Sequence, residues 1–170
     1  MTECLDRLQH WLREQHVSYA SQHHRPAFTN GEVALELQEQ GEHVAKVVIA
    51  NADHRLVMLV VPATEQVDFK RAAQQIAAGL VSAAQEKEFK SRFPDCELGA
   101  MPPFGSLYDM PTYMDESLTK PAKLVFQAGT HRDTIRLATE DYLRLARPII
   151  VHLTQPQAAQ AAREMAPLAA

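Results

Sequence analysis

The parts of this chain best suited to chemistry are a proline- and glycine-framed loop, a lysine in a strand and a short glycine turn. The loop, Glu97 to Gly105, reads E-L-G-A-M-P-P-F-G. Its two prolines carry no N–H, and Gly99 and Gly105 can take backbone angles closed to other residues, so the loop has a fixed shape. Braced by Met101 and Phe104, it can aim its remaining N–H groups at something small, as stabilising a developing oxyanion requires. It can equally be a rigid connection. Taken alone, Lys46 in A-K-V-V-I reads as a strand lysine reaching solvent, and His131 in A-G-T-H-R-D as a surface histidine.

Other catalytic signatures do not stand out. No Ser-His-Asp, Cys-His or paired-carboxylate pattern is evident. Asp109, Asp115 and Glu116 are the candidate bases, although Asp115 in M-D-E-S-L reads first as a cap. His23 and His24 are adjacent, and neighbouring side chains on an extended segment point opposite ways, so they do not share an ion. The only cysteines, Cys4 and Cys96, are too few and too far apart in sequence to suggest a disulfide framework or zinc cluster, and both read as reduced thiols. A net charge of −4 argues against a protein that coats nucleic acid by charge, though not against one that grips an RNA end.

The elements that must position these residues follow from periodicity. Leu5, Leu8, Trp11 and Leu12 recur at helical spacing, predicting an amphipathic helix over 3–15. Val17 to Ala20 is β-prone, and Pro26 then breaks regular structure. Thr29 and Glu32 form a capping box for a helix ending at Gly41. Ala45–Ala50 and Leu56–Val61 read as an antiparallel hairpin at the centre of a sheet. Asp68 caps a helix through Ile76, and a more polar helix runs from Glu86 to Ser91. Beyond the loop, 112–114 and 123–128 read as strands, 134–137 pairs back, Thr139 opens a helix to Ala146, and 148–153 is a last strand.

At 170 residues the chain fits one domain, 1–153, followed by an alanine-rich tail, 154–170, expected to fray. Strands and helices mix without strict alternation, which predicts an α+β fold with a mixed, mostly antiparallel sheet. No apolar run approaches the roughly 20 residues of a membrane span. The N-terminus, amphipathic and charged, does not read as a signal peptide, so the expected location is the cytoplasm.

Three features now stand in order: Lys46 in A-K-V-V-I, the G-A-M-P-P-F-G loop, and F-Q-A-G-T-H-R-D. With Y-A-S-Q-H-H-R-P-A-F-T upstream and Y-M-D-E-S-L after the loop, the sequence from about Tyr19 to Val151 resembles the YbaK/prolyl-tRNA synthetase-associated domain family. These are small editing domains, free-standing or inserted in a synthetase, that hydrolyse mischarged aminoacyl-tRNA. The resemblance implies a barrel-like sheet with surrounding helices and a deacylase that uses no metal and no organic cofactor. Its partner would be the acceptor end of aminoacyl-tRNA, with a synthetase or elongation factor as a further partner, and no DNA or membrane. Carried over, the family's strand lysine falls on Lys46, its glycine-proline loop on Gly99, Pro102, Pro103 and Gly105, and its later glycine segment on Gly129, Thr130 and His131. Lys46 would contact the terminal phosphate or ribose, and loop N–H groups would hold the ester carbonyl. Tyr19, Phe28, Met101 and Phe104 are the expected pocket walls, with His24, Thr29 and Asp115 as further substrate contacts.

Overall fold

The run Arg55–Pro62 becomes the middle of a sheet because both of its faces are covered. Along this strand (β3), Met58 and Val60 enter the main core while Val57, Leu59 and Val61 enter a second one on the opposite face. A strand buried on both sides has no polar face to alternate, which is why the sequence shows an unbroken apolar run. The structure, a computed structural model, describes residues 3–38 and 40–155, so the tail expected to fray lies, from residue 156 onward, outside the described residues.

Further elements are α1 (Glu3–Glu14), β1 (Tyr19–His23), α2 (Asn30–Leu37), β2 (Ala45–Ala52), α3 (Phe69–Gln75), β4 (Val81–Ala83) and α4 (Glu86–Phe89). After the loop come β5 (Thr112–Asp115), β6 (Lys123–Gln127), β7 (Asp133–Ala138), α5 (Thr139–Ala146) and β8 (Ile149–Val151). They make an α+β fold with two sheets, of order β1-β7-β6 and β4-β2-β3-β5-β8. The predicted hairpin is present, its register running from Ala45 opposite Pro62 to Ala52 opposite Arg55. Asp53 and His54 turn it with φ of 47° and 68°, and the Asp53 carboxylate is fixed by the Gly79 and Leu80 N–H groups, each at 2.9 Å.

The expected barrel does not close. The two sheets touch through one parallel bridge, Val44 to Val125, and β3–β5 and β5–β8 pair in parallel within an otherwise antiparallel arrangement. Between the sheets lies the main core, into which α1 inserts Leu5, Leu8 and Leu12 and the loop inserts Phe104. The Phe104 ring meets Trp11 at 5.2 Å, Phe126 at 5.6 Å and Tyr142 at 5.3 Å, the tilted and edge-on arrangements that aromatic quadrupoles favour. No helix among the described residues is long and apolar enough to cross a membrane.

The expectation of two free thiols is overturned. Cys4 and Cys96 form a disulfide across a sequence separation of 92, with their Cα atoms 5.3 Å apart. Separation along the chain says nothing about distance in the fold: docking the apolar stripe of α1 carries Cys4 to the head of the loop. Closing so long a loop restricts the unfolded chain, and native disulfides of this kind contribute about 2–4 kcal/mol. Reduction should therefore lower the melting temperature by roughly 5–15 °C for a chain of this size. Superimposable melting curves with and without reductant would contradict this.

Candidate functional site

Three segments far apart in sequence are tied together by backbone hydrogen bonds. The Glu97 N–H donates to the Gly129 carbonyl and the Gly129 N–H to the Ala100 carbonyl, both at 2.8 Å. The Glu97 carboxylate also accepts from the His131 N–H at 2.8 Å. From the third segment, Ala27 N–H donates to the His131 carbonyl and His24 N–H to the Arg132 carbonyl, each at 2.8 Å, while Gln127 Nε2 donates to the Ala27 carbonyl at 2.9 Å. Gly99, Gly129, Thr130, His131, His24 and Phe28 are thereby brought into one neighbourhood. Gly99 and Gly129 stand at φ of +90° and +97°, where a side chain is strained, and a Cβ on Gly129 would lie 2.6 Å from the Cβ of Cys4.

The His131 ring is anchored at both nitrogens. Nε2 lies 3.1 Å from the Leu98 carbonyl and Nδ1 3.5 Å from Gln127 Nε2. A carbonyl only accepts, so Nε2 carries the proton and Nδ1 accepts from the amide, the neutral tautomer. A ring held this way serves as a wall. Phe28 leans on it, with ring centroids 4.9 Å apart, and is nevertheless 72% exposed. Its backbone is fixed from both sides, because Ala27 is fully buried and the Phe28 N–H donates to the Glu32 carboxylate at 2.9 Å. Thr29 completes the predicted capping box, exchanging hydrogen bonds with Glu32, and these backbone donors hold the Glu32 carboxyl below its usual range. His24 is buried: its Nδ1 donates to the Arg25 carbonyl at 2.6 Å, and its Nε2 is buried with no partner.

Lys46 lies two residues after Val44, the extended residue that precedes β2 and bridges to Val125. Val44 packs with Ala27, Val33, Leu37 and Val125, and Gln127 follows Val125 by two residues on β6. Within β2, Lys46 stands opposite Val61 and shares its face with Val48, Ala50 and Ala52, which pack in the second core. It is half-buried; burial lowers its pKa and the Glu65 carboxylate partly restores it.

The remaining expectations divide. Phe104 and Met101 belong to the core instead of forming exposed walls, and the Met101 sulfur accepts the Gly99 N–H at 3.1 Å. Pro102 and Pro103 are buried, and the Pro103 carbonyl accepts from Tyr142 Oη at 2.8 Å. Gly105 is not an available donor, because its N–H is taken by Thr112 Oγ1 at 3.0 Å. Tyr19 is at the far end of β1 from His23, about 13 Å along the strand. Asp115 is a structural latch: it accepts from Ser117 N–H at 3.0 Å and from Leu153 and Thr154 N–H at 2.7 and 3.2 Å, so its carboxylate is used up within the fold. Of the loop donors, Ala100, Phe104 and Gly129 are likewise engaged. Among the described residues the Met101 and Thr130 N–H groups have no acceptor. Each directly follows an end of the Gly129–Ala100 bond, and both residues are under a tenth exposed, where unpaired backbone donors are uncommon.

The sequence profile of the aminoacyl-tRNA editing domain matches residues 24–145, most of the chain and all of the site just described. The chain belongs to the aminoacyl-tRNA editing domain family. No curated protein sequence matches it significantly. Solved structures share the fold at low identity. One, of a protein proposed as a trans-editing enzyme for prolyl-tRNA synthetase, has a TM-score of 0.79 and 18% identity, covering 92% of this chain and 99% of that one. Another, from work grafting epitopes onto scaffold proteins, gives 0.78 and 19%, covering 92% and 99%. A third, the hypothetical protein APE2540, gives 0.79 and 13%, covering 88% and 99%.

Within this editing domain, three residues not singled out from sequence prove central: Glu97, Gln127 and Asp133. Glu97 stood at the head of the loop and Gln127 was the lone polar residue closing an apolar strand, which are weak signals. Asp133 accepts from Thr130 Oγ1 and lies 2.8 Å from His23 Nδ1. Burial raises its pKa, but those hydrogen bonds and the charges of His23 and His24 more than offset this, leaving it below the ordinary value. A depressed carboxyl stabilises the fold fully above its unfolded pKa of about 3.9, and that contribution is lost as pH falls through the folded value. Asp133→Asn should therefore melt lower than the parent at pH 6 and lose less on acidification to pH 3. A parallel pair of stability–pH curves would show that the 130–133 network carries no such linkage.

Proposed function

We propose that this editing domain is a trans-editing deacylase that hydrolyses the ester of mischarged aminoacyl-tRNA, using water and no metal or organic cofactor, in the cytoplasm. The observation that carries this reading is the convergence of the Gly99 and Gly129–His131 loops with the fixed, exposed Phe28. Ester cleavage needs donors for the oxyanion and an aimed water more than it needs a strong side-chain nucleophile. Met101 and Thr130 N–H are the donors we assign to the oxyanion. Lys46 supplies a positive charge for a phosphate of the RNA end, a task suited to a mobile point charge. Buried His24 Nε2, left without a partner in the fold, is suited to a hydrogen bond with a ribose hydroxyl. Phe28, backed by His131, offers a flat face to the terminal base, since single-stranded RNA is held largely by stacking on aromatic rings. The partner is the acceptor end of aminoacyl-tRNA, delivered alone or from a synthetase or elongation factor.

The deciding experiment is release of free amino acid from a panel of mischarged tRNAs. Because a fold neighbour is proposed to act for prolyl-tRNA synthetase, alanyl- and cysteinyl-tRNA(Pro) head the panel. Turnover of at least one member is expected, and tight binding without release on every member would replace the deacylase with a binding module. Lys46→Ala should lower kcat/KM about ten- to a hundredfold, the weight of one hydrogen bond to a charged group, and reduce the salt slope of binding by about one. Phe28→Ala should raise KM roughly five- to a hundredfold while Phe28→Trp keeps it, since stacking one base contributes about 1–3 kcal/mol. Unchanged kinetics in Lys46→Ala would remove that residue from the site.

A further inference from the structure

The disulfide sits where an exchange reaction could reach it and where its loss would be felt by the site. Cys4 is fully buried, whereas Cys96 is half-buried and forms part of the wall of an open groove of about 620 Å³. Lys87 and Lys90, both exposed, stand on the same groove with Ser91 and Leu98. On the inner side, Tyr108 Oη lies 3.3 Å from Cys96 Sγ and 3.6 Å from Cys4 Sγ. Burial raises the Tyr108 pKa, so its hydroxyl keeps the proton it can donate to sulfur. The nearby Asp95 carboxylate is paired with Arg7 at 3.1 Å, which limits its repulsion of an approaching anion.

We propose that Cys4 and Cys96 form a thiol-exchange site: a small thiol bearing carboxylates enters the groove beside Lys87 and Lys90 and is carried as a mixed disulfide on Cys96. The incoming thiolate attacks Cys96 Sγ, because Cys96 lines the groove and the fully buried Cys4 does not. The S–S bond breaks and Cys4 leaves as a thiolate, received by the Tyr108 hydroxyl. A second thiolate then attacks the external sulfur of the mixed disulfide and frees Cys96, so two small thiols become one small disulfide and the protein gains two thiols. Protein disulfides in a reducing compartment are usually transient, and an exposed sulfur beside cations is the kind that exchanges. Cys96 precedes Glu97, whose carboxylate holds the His131 N–H, and Cys4 packs against Gly129. Occupying Cys96 therefore loosens the clamp between the two loops. The effect on turnover rests on the deacylase reading; the exchange itself does not.

The test treats the intact, oxidised chain with glutathione and, separately, with cysteamine, a cationic thiol, at matched thiolate concentration, and follows adducts by mass spectrometry. The expected result is a single adduct on Cys96, forming about tenfold faster with glutathione, a preference lost in the Lys87→Gln/Lys90→Gln double variant. Exchange at the His131 amide should quicken in the adduct, and release of amino acid from the reactive mischarged tRNA should fall by at least about tenfold. Adducts on Cys4, no adduct at all, or equal rates for the two thiols in the parent chain would overturn the site. A clean Cys96 adduct with unaltered His131 amide exchange would overturn the coupling to the loops. Should no mischarged tRNA be cleaved in either redox state, the deacylase reading fails while the adduct and amide-exchange readings still decide this one.

Discussion

Two backbone hydrogen bonds, one into the Gly129 carbonyl and one out of the Gly129 N–H, decide how the 97–105 and 129–131 loops lie against each other. They work only because residue 129 is a glycine. At φ +97° a side chain would be strained, and a Cβ there would collide with Cys4. Once the two loops are fastened, Glu97 can reach the His131 N–H, His131 can reach the Leu98 carbonyl, and Ala27 can pair with the His131 carbonyl. The Glu97 and His131 contacts are local once the first pair exists, and Ala27 brings in the third segment. A loop that looked like a rigid turn is thus rigid chiefly through its partner.

The same bonds redistribute chemical roles. Glycine-rich loops offer backbone donors in principle, but a donor already engaged in the fold is not available to a substrate. Gly99, Ala100, Phe104, Gly105 and Gly129 all have their N–H groups engaged, which leaves the N–H groups of Met101 and Thr130, the residues that follow the Gly129–Ala100 bond, without an acceptor among the described residues. His131 shows the parallel effect in a side chain. With both ring nitrogens within hydrogen-bond reach of Leu98 and Gln127, its ring is held in place and Phe28 leans on it.

Legibility in the sequence followed the range of the forces involved. The hairpin of β2 and β3, the Thr29–Glu32 capping box, the Asp68 cap and the stripe of α1 were readable because the residues that cause them are neighbours in sequence. Strand β4 was not, because Val81–Ala83 has no alternation of its own and exists by pairing with β2. Sheet closure was misread for a related reason: whether β2 and β6 pair along their length or at a single bridge depends on how the helices fill the space between them. Gly99 and Gly129 to His131, grouped by order and resemblance, do lie together in the fold. Phe104 and Asp115 were misread, since an aromatic or a carboxylate near a loop looks the same whether it faces substrate or core.

The disulfide is the sharpest case, because composition argued against it and the tertiary structure makes it. Two cysteines separated by 92 residues are brought within bonding distance by a helix whose docking is driven by Leu5, Leu8 and Leu12, not by sulfur. The apolar contacts of α1 persist when the bond is open, so cleavage need not unfold the chain. What it frees is the short, partly buried stretch between Pro94 and Leu98, otherwise fastened by the Arg7–Asp95 pair and by the bonds of Glu97. A partly exposed ion pair contributes at most about 1 kcal/mol, so that stretch depends heavily on the covalent link. The covalent restraint on the head of the 97–105 loop is therefore also the one whose chemistry responds to the redox state of the solvent.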